Sequence, residues 1–114
     1  MKAFSGERLL WEHIDVAADS HARSRGLTGR KELKQGEGLL IVPCNQVHTF
    51  QIMFDLDVLY LTAQKKVLCM KTLTPDSVGP CIAGAHCVLE VPAGSAAVKE
   101  INIGDRIAFL DVDE

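Results

Sequence analysis

Apolar and polar residues alternate from Trp11 to Val16, the period of a strand with one buried face. A short helix of about two turns is predicted next, with Asp19 or Ser20 as its capping acceptor and Gly26 just past its end. Leu27 to Gln35 reads as a turn followed by another short helix. Gly38 to Val42 is a continuous apolar run stopped by Pro43, and its length and β-branching predict a buried strand. His48 to Met53, Asp57 to Leu61 and Lys66 to Thr74 read as three more strands, the last stopped by Pro75. Asp76 to Pro80 is rich in turn formers. His86 to Val91 predicts a strand ended by Pro92, Gly94-Ser95 is expected to cap a short helix through Glu100, and Ile103 to Phe109 reads as a turn feeding a last strand.

Short strands set apart by turn signals predict a mainly β fold, a sandwich or partly open barrel with two or three short helices. The long helices that a parallel doubly wound sheet needs between its strands are missing from the pattern. With 114 residues and no repeat, low-complexity tract or linker, a single domain over 1–114 is expected. A chain of this size buries roughly 60–70 % of its unfolded surface, so no covalent staple is required. Only 5 % of the residues are aromatic, which leaves the core to Val, Leu and Ile.

The formal charge of −3 argues against a general nucleic-acid binder, which needs an excess of Lys and Arg to neutralise phosphates. No run approaches the roughly 18–20 apolar residues of a membrane span, and Glu7 and Arg8 interrupt any apolar signal core. No membrane partner and a cytoplasmic location are therefore expected. Cys44, Cys69, Cys81 and Cys87 show no two-residue spacing of a redox motif or zinc knuckle, so free thiols are expected, with Cys69 a small core residue. No cofactor is expected, and the pattern leaves monomer and homodimer open.

Four segments carry candidate chemistry. In Arg25-Gly26-Leu27-Thr28-Gly29-Arg30, two glycines permit a tight turn between two guanidinium groups, which can fork onto a carboxylate or phosphate. The competing reading is a helix C-terminus whose arginines sit at the negative end of the dipole. Cys44 and His48 lie four apart and can be written as metal ligands or as a thiolate–imidazole pair, although with Cys81, His86 and Cys87 the spacing matches no standard zinc site. The plainer reading packs Cys44 in the core and leaves His48 bonded to backbone. Asp57 opens an apolar strand and needs a partner there, with Arg25 or Arg30 as candidates; a structural ion pair competes with a catalytic base. Glu90 alternates with apolar neighbours, which predicts a solvent-facing carboxylate, against a second reading in which it lines a pocket.

Together these segments resemble the uncharacterised family called domain of unknown function 192. The resemblance rests on Arg25 to Arg30, Gly38 to Val42, His48 to Leu61, Val88 to Gly94 and Ile101 to Asp105, in order over roughly Ala17 to Phe109. It implies a jelly-roll-like β fold with short helices and no established activity. The chain departs from the family pattern at Ile52 and Met53, where members commonly carry Met and a basic residue, and at Asp55, where Pro or Thr is common.

The leading expectation is a non-enzymatic binding or accessory module. Arg25, Arg30, Asp57 and Glu90 would line a polar recess for a small anionic or peptide ligand. The first alternative is a small hydrolase or lyase using Asp57, His48 or Cys44. The second is a structural or assembly role through edge pairing of Ile101 to Phe109.

Overall fold

The chain begins with a hairpin that its alternation had hidden. In the computed structural model, which describes residues 1–111, β1 (Lys2–Ser5) pairs antiparallel with β2 (Arg8–Trp11) and with β8 (Ala108–Leu110). The order β2-β1-β8 makes a three-stranded sheet. A five-stranded sheet has the order β3-β4-β7-β5-β6, from β3 (His13–Ala17), β4 (Glu37–Ile41), β5 (Leu56–Leu61), β6 (Val67–Leu73) and β7 (Cys87–Pro92). Helices α1 (Ser20–Arg25) and α2 (Ser95–Val98) complete the described elements. The fold is mainly β with two small helices and two sheets.

Three expectations need correction. The alternation from Trp11 to Val16 spans two strands. Trp11 and Ile14 are three apart yet pack in the same cluster, which one straight strand cannot do; the bend at Glu12 resets the phase. Leu27 to Gln35 holds turns and no helix, because Gly29, at φ +92°, leaves the helical region where the chain would have to continue. His48 to Met53 is a loop, not a strand: Gln51 takes φ +64°, and Ile52 N–H turns back to the Thr49 carbonyl at 3.2 Å. This loop is nevertheless held firmly. The buried Thr49 donates its hydroxyl to the Thr74 carbonyl at 2.6 Å and accepts from Ser77 N–H at 2.8 Å.

All pairings in the large sheet are antiparallel except β3 with β4. The connection over 18–36 that carries α1 is long enough for such a crossover, which needs a dozen or more residues. Gly38 sits where β4 passes between its neighbours. A Cβ there would lie 2.9 Å from the Glu90 carbonyl oxygen and 2.8 Å from Ile14 Cδ1, so only glycine fits this approach.

Strand parity divides the core. Leu59, Leu61, Leu89, Val91, Leu40 and Ile14 face the small sheet and pack with Ala3, Leu10, Trp11 and Ile107. Leu56, Val58, Tyr60, Val88, Leu39 and Ile41 face the other way and pack with Leu27, Val47 and Ile52 from the α1 side. β5 and β7 are therefore buried along their whole length, on both faces. Among the described residues no helix is long and apolar enough to cross a membrane.

Candidate functional site

β7 carries one carboxyl into the α1-side layer. Glu90 pairs with Val58 on β5 and Leu39 on β4, so it shares their face. It is 2 % exposed, which overturns the solvent-facing reading: alternation marks exposure only for a strand with one wet face, and β7 has none. Among the described residues its carboxyl has no hydrogen-bond partner and no salt bridge. Burial alone pushes its pKa up to about 7.

Above Glu90 lies α1. Asp19 accepts from Ala22 N–H at 2.8 Å, and Gly26 N–H closes the helix on the Ala22 carbonyl. Gly26 takes φ +53°, ψ −128°, a conformation that side chains with a Cβ avoid. It also stands directly over the carboxyl, since a Cβ there would be 4.0 Å from Glu90 Oε1. Gly26→Ala is expected to destabilise the fold by about 1–3 kcal/mol through this strain. In urea denaturation that loss reads as a lower midpoint at unchanged slope; an unchanged midpoint would refute it.

Between α1, the loop after β4 and the 48–52 loop lies a cavity of about 340 Å³. Its lining includes Arg23, Arg25, Cys44, His48 and Glu90, with Leu27, Ile41, Val47 and Ile52 as apolar walls. Arg23 was missed in the sequence reading. Its Nη1 donates to the Pro43 carbonyl at 3.4 Å, while its Nε is buried without a partner. Helical spacing was the available signal, since Ser20, Arg23 and Ser24 share one face of α1 and all line the cavity. Cys44 Sγ donates to the Gln46 carbonyl at 3.2 Å, and burial, opposed by that bond, raises its thiol pKa. His48 is exposed and stacks on Phe50, with ring centroids 4.8 Å apart.

The candidates named from sequence are thus only partly brought together. Arg25, Cys44, His48 and Glu90 border one cavity. Arg30 instead bonds Asp15 on β3, Nη2 to Oδ2 at 2.9 Å. Asp57 pairs with Val91 and so faces the opposite side of the sheet from Glu90. Its partners are not arginines: Thr72 Oγ1 donates to Oδ1 at 2.8 Å, and Ala96 N–H to Oδ2 at 3.0 Å, so Asp57 caps α2 from a distant strand. The single Arg25/Arg30–Asp57 cluster does not form, because parity separates its members by the thickness of the sheet. For the hydrolase or lyase alternative, Asp57 and His48 do not converge, and Cys44 bonds backbone rather than His48. Among the described residues no three His, Cys, Asp or Glu side chains are grouped to hold a metal ion.

Residues 2–109 match the model of the DUF192 family, described as an uncharacterised ACR. No curated protein matches the chain. A protein of unknown function from Novosphingobium aromaticivorans superposes with a TM-score of 0.78 at 21 % identity, covering 95 % of this chain and 82 % of its own. A protein from Sinorhizobium meliloti, proposed to be a transcription regulator, gives 0.73 at 21 % identity over 83 % of this chain and 79 % of its own. At this identity the two share the fold with this chain.

Proposed function

This chain belongs to the DUF192 family of uncharacterised proteins, and from that premise we propose that it is a binding module for a small ligand with an anionic group. The observation that carries this reading is the cavity under α1. Its 340 Å³ lies within the range of small-molecule sites, about 300–1,000 Å³, and its lining joins apolar walls to a few polar groups. The unpartnered Nε of Arg23 is a buried donor that a carboxylate or phosphate oxygen would satisfy, with Arg25 beside it at the rim. A second cavity of about 320 Å³ lies beside Asp57, but both oxygens of that carboxylate already have donors. We place the protein in the cytoplasm, where four thiols fit a reducing compartment.

Thermal denaturation against a panel of carboxylates, phosphate and short peptides tests the proposal. A true ligand at about 100 times its Kd is expected to stabilise by about 2.7 kcal/mol. Arg23→Gln is expected to abolish the response. A panel without any shift in Tm, or a shift that Arg23→Gln keeps, rejects the reading.

A further inference from the structure

Arg23 and Glu90 border one cavity with opposite formal charges and do not pair. Were stability the only requirement, a salt bridge would satisfy both; instead Arg23 Nε is buried without a partner and the Glu90 carboxyl, facing the cavity, accepts no hydrogen bond among the described residues. Cys44 lines the same cavity, and the charges of both Glu90 and Arg23 act on its thiol. The gap has a polarity, with an acceptor on the sheet and donors on α1. Its remaining walls are aliphatic, from Leu27, Ile41, Val47 and Ile52.

We propose that the cavity takes a zwitterion of the α-amino-acid class with an aliphatic side chain. The ammonium sits on Glu90, the carboxylate on Arg23 and Arg25, and the side chain against the apolar walls. The proposal rests on the binding reading above and specifies its ligand. A simple anion leaves Glu90 without a donor, whereas an ammonium–carboxylate pair answers both unmet groups at once. The cavity also exposes the ligand to His48 on the facing loop. Cys44, its thiol pKa raised by burial, is uncharged at neutral pH.

The two ligand classes have opposite proton linkage. An ammonium requires the ionised carboxylate and displaces its proton. A simple anion favours the protonated, neutral Glu90. With the Glu90 carboxyl titrating near pH 7, amino-acid binding should strengthen about tenfold from pH 6 to pH 8, and simple-anion binding should weaken about as much.

Isothermal titration of the intact protein with alanine, valine, leucine, isoleucine and methionine decides the matter, with 4-methylpentanoate and 3-methylbutylamine as leucine analogues lacking one charge each. The expected result is binding of at least one amino acid, with the gain from pH 6 to pH 8 lost in Glu90→Gln. Leucine, if bound, should exceed both analogues about tenfold or more. Binding of 4-methylpentanoate as tight as that of any amino acid, or a pH slope of the opposite sign, overturns the zwitterion while leaving the anion-binding module standing. Silence from all the amino acids also overturns it. A pH slope that survives in Glu90→Gln assigns the linkage to another group and removes Glu90 from the proposal. Failure of the broader anion panel as well would remove the parent reading.

Discussion

Glu90→Gln is expected to make the protein more stable at pH 8 and to leave it nearly unchanged at pH 5. The folded carboxyl holds its proton up to about pH 7, whereas the ordinary value is 4.5. Between these two values the native state binds more protons than the unfolded state, so stability falls as pH rises. Its contribution is intact below about pH 4.5 and lost by the time pH passes 7. The loss amounts to at most about 3 kcal/mol. Water in the adjoining cavity reduces it, because it screens the charge that burial penalises. Glutamine is nearly isosteric and stays neutral, so it resembles the protonated acid at low pH and avoids the buried charge at high pH. For a domain near 100 residues the gain at pH 8 corresponds to a rise in Tm on the order of 10 °C. Denaturation curves measured from pH 5 to pH 8 should diverge between the two proteins. Parallel curves would mean that Glu90 ionises at an ordinary pH, and its place as an unpaired buried acid would fall.

The largest loss is expected from Trp11→Ala. Trp11 is fully buried where the two sheets meet, packed with Ala3, Ile14, Leu59 and Ile107 in the same cluster, and Lys99 Nζ lies 5.7 Å from its ring centroid. Truncation leaves a cavity between the two sheets and costs about 3–5 kcal/mol. Trp11→Phe should cost much less, for a specific reason: the indole Nε1 is buried without a partner, and phenylalanine removes that unmet donor together with the lost ring volume. Equilibrium urea unfolding separates the cases. Equal losses for the two variants would show that Nε1 carries no penalty, and a loss under 1 kcal/mol for Trp11→Ala would contradict its central place in the core.

Much of the secondary structure was legible because local rules decide it. Pro43, Pro75 and Pro92 punctuate the chain near the ends of β4, β6 and β7, and Asp19 and Gly26 bound α1. The bend at Glu12 left only a faint local trace, the three-residue step from Trp11 to Ile14 that puts the apolar positions on its two sides out of phase. The 48–53 loop was misread for a different reason. Its apolar residue Ile52, like Val47 just before it, serves the core beneath α1, and Thr49 fixes the backbone through partners in 74–77 that only folding brings near.

Within the site, sequence supplied Arg25, Glu90, Cys44 and His48 as chemistry-bearing residues. Their grouping came from elsewhere. Residue type and spacing determine which segments become strands and where turns fall, because backbone propensity and caps act over a few residues. Which carboxylates share a recess depends on sheet order and register. Asp57 and Glu90 look alike in sequence, each flanked by apolar neighbours in a buried strand. The pairing of Asp57 with Val91 and of Val58 with Glu90 sends them to opposite faces. One then finds Thr72 and the N-terminus of α2, and the other faces an open cavity and accepts no hydrogen bond among the described residues. That difference arises from long-range hydrogen-bond register, for which a single strand carries no local signal.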